Sequence, residues 1–200
     1  MQPLLDPPIW CLLLRGRWVS VRIALVSMVL SIMLAIPLGL VMDSRHLWLR
    51  ILTRGYVEAL RLLPQLVLLF VVYFDMAQVA DLDVSGEVAA IIVFTLWGTA
   101  EMGDQARGAI AAVPPPHIIT AQALGMSDRA VRRRIVMPLA LRQLVPLTVN
   151  LVTRMIKTTA LVSLIGVVEI LKVAQAIIDR NRFDHPDAAL WIYGTVFCLY

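Results

Sequence analysis

Charge is what this chain has least of. Asp, Glu, Lys and Arg make up 16% of its 200 residues, whereas 60% are hydrophobic. A soluble domain carries about a quarter of its residues charged and about half apolar. With a mean hydropathy of +0.80, the chain has too few polar side chains to coat a water-facing surface. A soluble globular domain is excluded, and an all-α polytopic membrane protein is indicated. Cysteine is equally scarce: Cys11 and Cys198 lie at opposite ends in apolar sequence, in no CxxC or metal-ligand spacing, and read as lipid- or core-facing. No GxxxxGK[ST], HExxH or GxSxG pattern occurs, so no nucleotide, zinc-protease or hydrolase site is encoded here. His46, His117 and His185 are scattered over loops and read as structural or solvated. The chain offers no catalytic residue, no metal site and no bound cofactor. No basic patch interleaved with aromatics is present, so the net charge of +4 is a topology signal and nucleic acid is not a partner.

Long apolar runs are what is there. A helix needs about 20 residues to cross a bilayer, and four stretches meet that length: 18–42, 56–79, 88–107 and 139–157. The first is too long for a signal-peptide core and has no cleavage site after it, so it is retained. A fifth run starts near Ala188 and reaches Tyr200, too short to cross, which predicts that the natural chain continues and that this last helix is truncated. Residues 1–17 precede the first span, and 18–200 form one membrane domain without repeats.

Arginine positions orient the set. Arg45, Arg50 and Arg54 follow the first span, with Arg61 just beyond. Arg107, Arg129, Arg132, Arg133, Arg134 and Arg142 follow the third. The segment between the second and third spans carries Asp75, Asp81, Asp83 and Glu87 and no basic residue. The positive-inside rule puts the arginine-rich segments in the cytoplasm and the acidic one outside. Residues 1–17 are then extracytoplasmic. The 158–187 connection also falls outside although it holds Lys172, Arg180 and Arg182, offset by Asp179, Asp184 and Asp187.

The segment 108–137 is the most informative part. Pro114, Pro115 and Pro116 stop the third helix and favour a new first turn. A short helix from 116 to 124 can end at Gly125, which tolerates a left-handed C-terminal position. Ser127 can cap a second short helix, 128–136, with Asp128 at its positive end. Pro138 then opens the next span. On charge alone, a lipid-headgroup anchor also fits these arginines.

This region resembles the EAA loop of permease subunits in ATP-binding-cassette importers, whose pattern runs Glu-Ala-Ala, three residues, Gly, nine residues, Ile-x-Leu-Pro. Gly125, Ile135, Met137 and Pro138 keep that spacing, with Met for Leu. The opening triplet is Ile119-Thr120-Ala121, so the acidic residue is replaced by Ile119. Three further matches are similar to the polar amino acid permeases: Arg107-Gly-Ala-Ile-Ala-Ala-Val-Pro114, Ala123-Leu-Gly-Met-Ser127, and Lys157-Thr-Thr-Ala-Leu-Val-Ser-Leu-Ile-Gly166 followed by Glu169. Arg61 and Pro64 fit the family's Arg-Gly-Thr-Pro, with Leu62 and Leu63 in the middle. Together these cover nearly the whole chain from Trp18.

The resemblance implies the transmembrane domain of a type I importer in the bacterial inner membrane, working by alternating access. It implies ATPase subunits as partners, which bind ATP and magnesium in place of this chain, a second permease subunit (identical or homologous) and an extracytoplasmic substrate-binding protein. It places Ile119, Thr120, Ala121, Ala123, Leu124, Gly125, Ile135 and Pro138 in the ATPase-coupling loop. The missing acidic residue leaves open a non-transporting scaffold or regulatory subunit; a lipid-metabolism enzyme is disfavoured because the acidic cluster is sparse and external.

Ionisable groups at membrane depth cost about 2.5–3.5 kcal/mol each on insertion scales and usually face partners or a water path. Glu58 and Arg61 are three apart and share a helix face, as do Glu101, Asp104 and Arg107; structural pairing is the expectation for Glu58, Arg61, Asp104 and Arg107. Arg154 and Lys157, one turn apart near the outer end of the fourth span, have two open readings, snorkelling or contact with a substrate carboxylate. Glu101 stands where the family tends to have an aromatic residue, which suggests contact with a cationic substrate side chain. The 158–166 stretch reads as a re-entrant segment. Thr159 and Ser163 either line the substrate path or bond their own backbone.

Overall fold

In hydrocarbon every backbone N–H and C=O must find a partner inside the protein, which a chain this apolar achieves by forming helices. The computed structural model describes residues 7–42, 46–75, 84–181 and 188–200, and every regular element among them is helical. Helix α1 is Pro7–Met42, α2 Leu47–Leu62 and α3 Gln65–Phe70, which runs on through a π turn, Val71–Asp75. Helix α4 is Gly86–Ala111, α5 Pro115–Ala123 and α6 Asp128–Val131. A π turn, Arg132–Val136, leads into α7, Met137–Thr158, and a 3₁₀ segment, Thr159–Ile165, extends it. Helices α8, Ile170–Asn181, and α9, Ala188–Leu199, complete the order.

Among the described residues two runs, Pro8–Gly39 and Asp128–Ile165, are long and apolar enough to cross a membrane. Helix α4 has the length, 26 residues, but carries Glu101, Asp104 and Arg107 in its second half. The span expected at 56–79 is corrected: it is broken, with Leu47–Leu62 and Gln65–Asp75 bent by 101°. Pro64 is the cause. It has no N–H to give the preceding turn and sits at φ −59°, ψ 130°, outside the helical region. The first span also begins earlier than expected, since α1 is already helical at Pro7.

Two further expectations change. The 128–136 helix does not stop before the fourth span; α6, the π turn and α7 form one helical run. Pro138 has no N–H for the preceding turn, and the widened π turn just before it accommodates that loss. The 158–166 stretch is not re-entrant but continues α7 as a 3₁₀ helix. The hydroxyls of Thr159 and Ser163 donate to the carbonyls of Ile156 and Ala160 at 2.6 and 2.7 Å, tightening the turn. Residues 1–6, 76–79, Arg45, Asp81, Asp83, Arg182, Asp184, His185 and Asp187 lie outside the described residues. Cys11 and Cys198 are exposed free thiols.

The packing forms two compact units. One comprises Met1–Val29, Leu63–Thr95 and Thr153–Tyr200; the other comprises Leu30–Leu62 and Leu96–Val152. The first has a core of Leu13 from α1, Ile170, Val173, Ala174 and Ile177 from α8, and Ile192 and Val196 from α9. Gly16 makes that core possible, because a Cβ there would lie 2.9 Å from Ile170 Cα and 3.0 Å from its N. In the second unit Ala109, Val113, Ala121, Val131, Val136 and Ala140 pack the α5–α6 segment against the end of α4 and the start of α7.

Gly16→Ala should therefore lower the melting temperature of the detergent-solubilised protein, by an overpacking cost of about 1–3 kcal/mol. Gly55→Ala, in a helix with nothing within 4 Å of the added Cβ, should leave it unchanged or raise it slightly. Circular dichroism melts of the two variants provide the comparison.

Candidate functional site

The 108–137 segment folds as a helical hairpin whose turn is built by backbone chemistry. Pro114, at φ −61° and ψ 131°, precedes α5, and Pro115 and Pro116 occupy its first positions, where absent N–H groups cost nothing. Helix α5 closes in a Schellman motif. The Met126 N–H donates to the Ala121 carbonyl at 3.1 Å and the Gly125 N–H to that of Gln122 at 2.9 Å, with Gly125 at φ +81°. The apolar contact of such a motif is present too, since the half-buried Met126 packs against the cluster that contains Ala121. Ser127 caps α6, its hydroxyl accepting from the Ala130 N–H at 3.4 Å, and the Gln122 amide donates to Asp128 at 3.0 Å, closing the hairpin.

The sequence-derived loop residues divide by exposure. Ala121 is buried and Ile135 half-buried, as internal packing of the hairpin requires, while Thr120, Ala123, Gly125 and Pro138 are exposed. Ile119 and Leu124 are 62% and 79% exposed. The hairpin thus displays two large apolar side chains and, within the same segment, the exposed Arg129, Arg132, Arg133 and Arg134. Such a surface favours a partner over bulk water.

The charged groups of α2 and α4 meet across helices. Arg61 pairs with Asp104 at 2.7 Å and with Glu101 at 3.7 Å, and Arg107 pairs with Asp104 at 2.6 Å. This corrects the expectation of a Glu58–Arg61 pair: the ion pairs of Arg61 go to α4. Asp104 is the hub, accepting from both arginines, and Tyr56 strengthens the same contact by donating to the Leu96 carbonyl at 2.7 Å. Glu101, expected in the substrate path, lies at the edge of this cluster. Arg154 and Lys157 are exposed on α7, while Thr159 and Ser163 are buried and bonded to their own helix.

Glu169 follows the Lys157–Gly166 motif in sequence and lies outside the ion-pair cluster of α2 and α4. It is fully buried. Its Oε2 accepts from the Ser20 hydroxyl at 3.2 Å and the Tyr200 hydroxyl at 2.8 Å, and its Oε1 accepts from the Lys172 N–H at 2.9 Å, capping α8. The spacing Glu169 to Lys172 carries the cap signal; nothing local in sequence points to Ser20 or Tyr200. Beside it lies a cleft of about 580 Å³ whose walls include Arg15, Tyr73, Glu87, Gly166, Val167 and Val168. Glu87 is ion-paired with Arg22.

Asp104→Asn should destabilise the protein by about 1–2 kcal/mol, between the values of exposed and buried pairs. Arg107→Gln, removing the more exposed partner, should cost under about 0.5 kcal/mol. Thermal unfolding in detergent distinguishes the hub from its rim.

Residues 35–199 match the family described as binding-protein-dependent transport system inner membrane component. The chain is 34% identical over 180 residues to the octopine transport system permease protein OccM of Rhizobium radiobacter, covering 84% of this chain and 72% of that protein. It is 30% identical over 173 residues to the histidine/lysine/arginine/ornithine transport system permease protein HisQ of Salmonella typhimurium, covering 82% and 76%. In fold it is similar to an amino acid ABC transporter crystallised with histidines, with a TM-score of 0.85 at 21% identity over 94% of this chain and 87% of that one.

Proposed function

The chain belongs to the family of binding-protein-dependent transport system inner membrane components, as the permease subunit of an ATP-binding-cassette importer, and we propose that it carries polar amino acids or opine-type conjugates of them. Its fold is that of a type I importer transmembrane domain. It performs no covalent step, and ATP is hydrolysed in a separate subunit. The substrate class rests on the octopine and basic amino acid permeases it is similar to, together with the motifs at 107–114, 123–127 and 157–169.

In this reading the N-terminus is outside and the arginine-rich 108–137 hairpin is cytoplasmic. The observation that carries the coupling role is the exposed pair Ile119 and Leu124, presented by a helix that Gly125 terminates at φ +81°. With isoleucine at the family's acidic position, the ATPase cleft facing it is apolar at that point. Because α6 continues through a π turn into α7 as one helical run, displacement of the hairpin on ATP binding is passed directly to a membrane span. A second permease subunit, identical or homologous, completes the path, and an extracytoplasmic binding protein delivers the substrate. Glu101, Arg154 and Lys157 are the candidates for contact with substrate charge.

Uptake into proteoliposomes containing the permease with its ATPase and binding protein tests the substrate class. Accumulation of octopine, arginine or glutamine is expected, and failure of every opine and polar amino acid to be accumulated would overturn it. Gly125→Val forces a branched side chain into the left-handed region at a cost of about 1–2 kcal/mol and should abolish both ATPase co-purification and uptake. Gly108→Ala, with open space around its Cβ, should retain both. Glu101→Gln should lower the preference for arginine over glutamine; an unaltered preference removes Glu101 from the path.

A further inference from the structure

We propose that Glu169 is a positioning residue for transport: its carboxylate fastens the Gly166–Val168 turn to three helices, and the fastened turn forms one wall of the cleft that receives substrate from outside. The receiving role of the cleft rests on the importer function and orientation given above; the fastening does not.

The turn is seated from both sides. The 3₁₀ segment ends in a second Schellman motif, with Gly166 at φ +86°, its N–H donating to the Ser163 carbonyl at 3.1 Å and that of Val167 to Val162 at 3.4 Å. Gly86, at the start of α4, leaves room for Val167, whose methyl would lie 2.7 Å from any Cβ placed there. On the other side Gly16 of α1 admits the backbone of Ile170. Between these notches the Glu169 carboxylate collects Ser20 from α1, the Lys172 N–H at the start of α8 and Tyr200 just after α9.

A fully buried carboxylate is costly unless hydrogen-bonded, and here three donors and the positive end of α8 satisfy it. That cost is not needed to fill space, since an apolar side chain would do so. Its evident product is a fixed turn: Gly166, Val167 and Val168 face the cleft of about 580 Å³, within the size range of small-molecule sites. Val168 in this turn and Leu164 in the 3₁₀ segment just before it are 63% and 59% exposed.

Two measurements on the complete importer separate the parts of the proposal. With Cys11 and Cys198 replaced by serine, Val168→Cys reports on the turn through its rate of labelling by a membrane-impermeant maleimide. Adding Glu169→Gln should change that rate by about fivefold or more, the order expected when hydrogen bonds to a charge are lost; an unchanged rate overturns the fastening. Uptake is then measured per assembled complex, with the co-purified ATPase as the count. Glu169→Gln should lower it about tenfold, and Tyr200→Phe and Ser20→Ala by smaller factors. Each hydroxyl variant combined with Glu169→Gln should be no worse than Glu169→Gln alone, because they act through one carboxylate. Uptake per complex equal to that of the unaltered importer, with only the yield of complex reduced, overturns the positioning role. If the unaltered importer accumulates no opine or amino acid, the substrate reading fails while the labelling result still decides the fastening.

Discussion

Internal satisfaction of polar groups is the constraint on which the rest of this structure depends. With charges so few and apolar residues so many, water cannot complete the hydrogen bonds of most of the chain. Helix formation settles the backbone. Hydroxyls settle locally, as when Thr53, Thr148, Thr158 and Thr195 donate to carbonyls four residues back. Charges settle at a distance: Arg61 across to Asp104, and Glu169 onto Ser20 and Tyr200. Each solution ties one element to another, so the architecture is in large part a record of where polar groups found partners.

The two left-handed glycines show one local device in opposite settings. Gly125 and Gly166 both end a helix in a Schellman motif. Both have open space where a Cβ would stand, but beside Gly125 the apolar Leu124 and Ile119 are displayed, as suits a surface that meets another protein. Around Gly166 the chain passes immediately into a buried carboxylate and a glycine notch. Backbone geometry is the same in both, and what the neighbours supply makes one turn a presented surface and the other a fixed wall.

Much of the fold was legible because its signals are local. One proline triplet and Gly125 delimit α5 to within a residue, and Ser127 marks where α6 starts, since capping acts over single turns. The spans at α1 and α7 follow from hydropathy, and α4 from its length. The bend at Pro64 is not legible in hydropathy, because surrounding leucines and valines keep it high on both sides of a residue that interrupts the helix. The continuity of α6 with α7 is not legible for the reverse reason, as a proline beside a π turn can be absorbed rather than terminate. At the candidate site, the exposure of Ile119 and the burial of Ala121 fit the helical phase of α5, two residues apart on opposite faces, while Leu124 is displayed at the helix C-cap. The spacing of Glu58 and Arg61 invited a pairing that α4 outcompetes.

By itself the sequence determined that the chain is a helical membrane protein, where its prolines and glycines punctuate the 108–137 hairpin, and which hairpin carries the coupling pattern. These depend on composition and on contacts within a few residues. Only the tertiary structure decided that Arg61 serves Asp104 and Glu101, that Gly16 and Gly86 are notches for other elements, and that Glu169 joins residues as distant as Ser20 and Tyr200. The reason is that a buried charge takes whichever donor the packing brings near, and no spacing along the chain encodes that distance.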